Sequence, residues 1–143
     1  MALIKKVLCT VDFSEASRNA ARYALDLAQQ LGASIDFLHT YQLAGFASPS
    51  SALAADVAHE ARAELDAFVA ALPKGNVAVK ADLRIGVPSS EIVSAALDAE
   101  AGLIVMGTTG RTGLEHFLLG SVAERVVQIS PVPVLTVRQS PPG

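Results

Sequence analysis

Between positions 107 and 121 the sequence runs Gly107-Thr108-Thr109-Gly110-Arg111-Thr112-Gly113, then Leu114-Glu115-His116-Phe117-Leu118-Leu119, then Gly120-Ser121. Glycines let a backbone reach positive φ and bring its N–H groups close to a ligand. Gly120-Ser121 stands where a helix begins, and the free N–H groups and dipole of a helix start favour an anion. Arg111 adds a fixed cation with a fork suited to phosphate, and Thr108, Thr109, Thr112 and Ser121 can supply hydroxyl donors. Phosphate is the ligand that this chemistry suits. A glycine after a strand is also a common turn residue, and one alone carries no functional information. Four glycines with an arginine and a helix start, behind an apolar strand, carry more. The segment is not a P-loop, because no Gly-Lys-Ser/Thr ends it. Nor is it the dinucleotide fingerprint: Gly-x-Gly-x-x-Gly is absent, and the segment follows the fourth strand rather than the first.

Other reactive side chains form no comparable constellation. His39, His59 and His116 fall on a strand, a helix surface and the glycine segment, without metal-ligand spacing. His39 reads as a satisfied strand residue and His59 as a surface one. Cys9 is the single cysteine, which excludes an intramolecular disulfide and a cysteine zinc cluster. Its apolar neighbours Val7 and Leu8 make it a small buried hydrophobe rather than a reactive thiol. No Gly-x-Ser-x-Gly elbow occurs, and Ser121 has no general base beside it in sequence. Glu115 and Glu124 flank the segment, and neither is assigned a catalytic role.

The elements that must position these residues alternate in type. Leu3 to Val11 is a β-rich run ended by Asp12-Phe13-Ser14, with Ser14 as N-cap of the next helix. Helical spacing follows at Ala20, Ala24, Leu27, Ala28 and Leu31, and Gly32 stops it. A second strand spans Ala33 to Tyr41, and the Gly-, Ser-, Pro- and Ala-rich stretch from Gln42 to Ser51 is a loop. Leu53, Val57, Ala61, Leu65, Phe68 and Leu72 make the longest helix, broken by Pro73-Lys74-Gly75-Asn76. Val77 to Ile85 alternates as an edge or half-covered strand. Gly86-Val87-Pro88 turns into a third helix, with Ile92, Val93, Ala96 and Leu97 expected inward. Leu103-Ile104-Val105-Met106 has the continuous apolar character of a central parallel strand. A helix from Ser121 to Ile129 is stopped by Pro131. Val132 to Val137 is the last strand, an edge because Pro133 cannot donate to a ladder. Residues 139–143 are expected to be a frayed tail.

Five strands alternating with four helices predict right-handed βαβ units and a mostly parallel sheet covered on both faces, in one α/β domain over residues 1–143. Ligands of such sheets bind beyond the carboxyl ends of the strands, where strand order reverses. That directs attention to Asp12, Thr40, Ile85-Gly86, Gly107 onward and Arg138. The chain has 143 residues, 51% hydrophobic and 17% charged, with a net charge of −3. Its length fits one domain of roughly 100–150 residues, and the composition excludes a disordered chain. The acidic balance argues against nucleic acid as partner, and Lys5-Lys6 reads as a solvated strand flank. No apolar run approaches the roughly 18 residues of a membrane span. The start lacks the order of a signal peptide, so a cytoplasmic location is expected.

The spacing Gly-x2-Gly-x9-Gly-Ser/Thr, met by Gly107, Gly110, Gly120 and Ser121, resembles the signature of the universal stress proteins. Val11-Asp12-Phe13-Ser14-Glu15 looks like that family's first strand and turn. Pro131 to Val137 is similar to its Pro-Val-Pro-Val-Leu-x-Val ending, and the three motifs cover essentially the whole chain. The resemblance implies a doubly wound domain with strand order 3-2-1-4-5. It implies ATP binding, with Val11 and Asp12 against the nucleoside, Thr40 packing on adenine and Met106 lining the base pocket. Gly107, Thr109 and Gly110 would wrap the phosphates, and Gly120, Ser121 and Val122 would contact them. Arg111 lies in the same loop. Mg2+ would ride on the phosphates. A homodimer through the last strand is implied too.

Each carried-over role has a plain structural counterpart: Asp12 as a helix cap, Met106 as core, and Thr40 dependent on strand register. A phospho-receiver domain fails on residues, since the third strand ends Arg84-Ile85-Gly86 and the last lacks a lysine. The functional expectation is an ATP-binding stress-response regulator with at most slow hydrolysis. Two other classes stay open: a true ATPase or self-phosphorylating enzyme, and a nucleotide-free dimer that docks partners.

Overall fold

A computed structural model of the chain describes residues 3–43, 51–108 and 119–138. Its strands are β1 (Lys6–Thr10), β2 (Ser34–Tyr41), β3 (Val79–Ile85), β4 (Leu103–Gly107) and β5 (Val134–Val137). Its helices are α1 (Glu15–Leu31), α2 (Ala52–Ala70), α3 (Pro88–Asp98) and α4 (Ser121–Ile129). The strands form one parallel sheet in the order β3-β2-β1-β4-β5. From β1 the chain winds outward through β2 to β3, then crosses back to β4 and β5. The direction reverses between β1 and β4, which makes their carboxyl ends the topological switch point.

Strand alternation feeds two apolar layers. Val7 and Cys9 of β1, Ile35 and Phe37 of β2, and Leu103 and Val105 of β4 face α1 and α2. Leu8, Leu38, Ile104 and Met106 face α3 and α4. Phe37, Ile35 and Val105 are fully buried, each contributing about 1.5–3 kcal/mol of burial free energy. The thiol of Cys9 is also fully buried, and burial pushes its pKa up from the ordinary range, so it behaves as a small core hydrophobe.

α1 starts where the Ser14 hydroxyl accepts the Ser17 amide at 3.1 Å. It stops at Gly32, whose φ of +67° lets its N–H reach back to Ala28 and Gln29. The helix turns a stripe of Ala20, Ala21, Ala24 and Ala28 to the sheet. Such small side chains allow close approach of helix and sheet.

Several details depart from the sequence reading. Leu97 is 53% exposed, because the buried stripe of α3 runs Ser89-Ile92-Ala95-Ala96 and the residue after Ala96 turns away. Leu53 is also exposed, and α2 buries chiefly Leu65, Phe68 and Val69 in its second half. β1 is shorter than expected and begins at Lys6. Lys6 is no solvated flank: its ammonium lies 3.7 Å from the buried Asp36 carboxylate on β2. β5 begins at Val134 rather than Val132, since Ser130 Oγ accepts the Val132 amide in a turn before it. The frayed tail expected at 139–143 lies outside the described residues.

Candidate functional site

A cleft of about 240 Å³ opens at the switch point. Its walls come from the carboxyl ends of β1, β2 and β4 and from the starts of α1, α3 and α4. One wall is apolar: Val11, Leu38, Ile92 and Met106 line it, each no more than 4% exposed. Thr10, Asp12, Ser17 and Thr40 bring polar groups, and Pro88 adds an apolar edge. Gly107, Thr108, Gly120, Ser121, Val122 and Ala123 complete it.

The α4 end of the cleft is rich in donors. The first N–H groups of any helix lack intrahelical partners. At α1 and α2 a serine hydroxyl caps one of them, Ser14 and Ser51 respectively. α4 has Gly120 as N-cap and no side-chain cap. Its start is held instead by the Gly120 amide, which donates to the Thr108 carbonyl at the end of β4. Among the described residues no side chain caps this first turn, so its N–H groups beside Ser121 and Val122 suit an anion.

Asp12 lies between strand and helix and has two functions open to it. Its Oδ1 accepts the Ser14 amide at 2.9 Å, and its own amide donates to Ser17 Oγ at 3.3 Å. The carboxylate therefore braces the turn into α1, whose cap is Ser14 and not Asp12, while the residue also lines the cleft. Met106 likewise serves as core and as wall. Thr40, paired in register with Arg84 of β3, lies on the cleft side of the sheet.

Val11, Asp12, Thr40, Met106, Gly107, Gly120, Ser121 and Val122 are thus brought together around one cavity. Thr109, Gly110 and Arg111 lie outside the described residues, as do Glu115 and His116. Sequence reasoning did not single out Leu38, Pro88 or Ile92 as lining residues. Leu38 and Ile92 look like ordinary core in sequence, and only the switch point makes core a cleft wall. Positive φ is not the reason for glycine at 120, where φ is −60°. His39 Nδ1 is 2.7 Å from the Val11 carbonyl oxygen, so His39 is indeed satisfied within the fold. His59 is exposed on α2.

The fold and cleft define a doubly wound α/β protein with a cavity at its switch point. The family model described as "Universal stress protein family" matches residues 3–138, and the chain belongs to that family. A universal stress protein of Methanocaldococcus jannaschii, MJ0531, is 37% identical over 142 residues, covering 96% of this chain and 84% of its own. The solved structure of MJ0577 from the same organism superposes with a TM-score of 0.84 at 29% identity, covering 98% of this chain and 99% of the other. A universal stress protein from Archaeoglobus fulgidus, solved in complex with dAMP, has a TM-score of 0.70 at 24% identity, covering 95% and 98% of the two chains. No described helix is long and apolar enough to cross a membrane.

Proposed function

We propose that the cleft binds ATP, with Mg2+ carried on the phosphates, and that the protein is a nucleotide-binding regulator in a stress response. One observation carries this reading: the start of α4, whose N-cap Gly120 offers no side-chain cap, opens into the same cavity as an apolar wall. A flat base suits Val11, Leu38, Ile92 and Met106, and a phosphate suits the N–H groups of the first turn of α4 beside Ser121 and Val122. Asp12 and Thr40 would supply polar contacts to the nucleoside. Gly107, Gly120, Thr109 and Gly110 would hold the phosphates, the last two by likeness to the family's glycine loop, and Arg111 would add a cation from within that loop. The dAMP complex of the Archaeoglobus fulgidus protein belongs to a chain 24% identical to this one. At that identity it speaks for the fold, and the nucleotide reading rests on this chain's own residues.

A magnesium ion bound this way supplies charge neutralisation of the phosphates. Turnover would be slow. Asp12 is the carboxylate among the described lining residues, and its Oδ1 already accepts the Ser14 amide. The residues therefore favour binding and orientation over activation of water. The protein would work in the cytoplasm as one domain paired with a second copy through the strand from Val132 to Val137.

The test is a thermal melt of nucleotide-stripped protein. ATP at about 100 times its Kd would stabilise the fold by about 2.7 kcal/mol, raising Tm by roughly 5–10 °C for a chain of this size. An unchanged Tm at millimolar ATP and magnesium contradicts the proposal.

A further inference from the structure

The turn that enters α1 holds a backbone conformation that needs support. Phe13 has a φ of +67°, the left-handed region that a bulky L-residue rarely adopts. Such strain persists only where the surroundings over-determine it. Here the Phe13 ring is clamped, its centroid 4.5 Å from the His39 imidazole and 5.8 Å from the Phe68 ring of α2. The guanidinium of Arg18 covers the Phe68 ring at 5.4 Å.

The same imidazole grips the turn at a second point. His39 Nδ1 lies 2.7 Å from the Val11 carbonyl oxygen. A carbonyl oxygen only accepts, so Nδ1 carries the hydrogen and donates it. His39 therefore holds the residue before Asp12 by a hydrogen bond and the residue after it by ring packing. It does so from the α1/α2 face of the sheet. Its neighbours on β2, Leu38 and Thr40, line the cleft on the opposite face.

We infer that His39 is a positioning residue for the cleft, fixing the Val11-Asp12 arm from behind the sheet. It touches no ligand; it acts through the Val11 carbonyl and the Phe13 ring. Its effect on ligand affinity rests on the nucleotide reading given above, whereas its hold on the turn does not.

Two variants separate the hydrogen bond from the packing. His39→Phe keeps a ring against Phe13 and removes the donor; His39→Asn restores an amide donor near the position of Nδ1. Amide exchange by NMR, without nucleotide, reads the turn through Ser14, whose N–H donates to Asp12. Calorimetry with ATP reads the cleft. In folded His39→Phe the Ser14 amide should exchange several-fold faster than in the wild type, and ATP should bind about fivefold more weakly, the worth of one hydrogen bond. His39→Asn should recover affinity relative to His39→Phe. Wild-type exchange at Ser14 in His39→Phe overturns the inference whether or not ATP binds. Faster exchange with wild-type affinity, or an asparagine variant as weak as the phenylalanine one, overturns it too. A wild-type protein that binds no ATP contradicts the proposed function, and the exchange of Ser14 then decides the role of His39 by itself.

Discussion

A Cβ added at Gly107 would lie 2.9 Å from the carbonyl carbon of Ala16 and 3.0 Å from its oxygen. The first glycine of the signature is therefore required by the approach of α1 to the end of β4, before any ligand is considered. Gly107→Ala should lower stability by about 1–3 kcal/mol, the usual cost of overpacking, read as a lower urea midpoint with an unchanged slope. A midpoint equal to that of the wild type contradicts the close contact. Loss of ligand binding in such a variant would not identify a ligand contact, since the helix start moves with it. Ser121 is the better probe, being exposed at the cleft and the first residue of α4. The sequence made the glycine spacing visible, but not that one glycine answers to packing. That fact depends on Ala16, ninety-one positions away in the chain.

At the scale of elements, periodicity and apolar runs located the described helices and strands, and α4 matches its expected span from Ser121 to Ile129. The misses arise where tertiary contacts decide. Leu97 and Leu53 fit a helical apolar pattern yet face solvent, because the helix axis, and not the residue type, sets which stripe meets the sheet. The two sheet edges differ in a way that bears on association. β3 carries Lys80, Asp82 and Arg84, and its Ala81 carbonyl accepts Arg62 Nη1 at 2.7 Å. Charges and an occupied edge carbonyl blunt strand addition. β5 is Val134-Leu135-Thr136-Val137, half-buried throughout. The carbonyls of Pro133 and Val137 bond to β4, so the N–H of Thr136 points away from the sheet. Thr136→Pro should then leave the β4 ladder intact and block pairing at this edge. Light scattering should show a dimeric wild type and a folded, monomeric variant. A variant that stays dimeric contradicts pairing through β5.

For the molecule as a whole, the strand order β3-β2-β1-β4-β5 joins an apolar wall and a helix start that are distant in sequence. Val11, Met106 and Ser121 meet only because the winding direction reverses between β1 and β4. Alternating strands and helices made the sheet legible in the sequence, and the switch-point rule directed attention to the carboxyl ends of the strands. The wall itself was less legible: Leu38 and Ile92 are indistinguishable from ordinary core until the cavity is seen.

The most direct test of the account is calorimetric titration of stripped wild type and Ser121→Glu with ATP and magnesium. A carboxylate in the first turn complements the helix dipole and leaves the fold intact, yet it opposes an anion at that place. Saturable binding to the wild type and roughly tenfold weaker binding to Ser121→Glu, a difference of about 1.4 kcal/mol, are expected, with no loss of Tm. Absence of binding to the folded wild type, or equal affinity for both proteins, would contradict it.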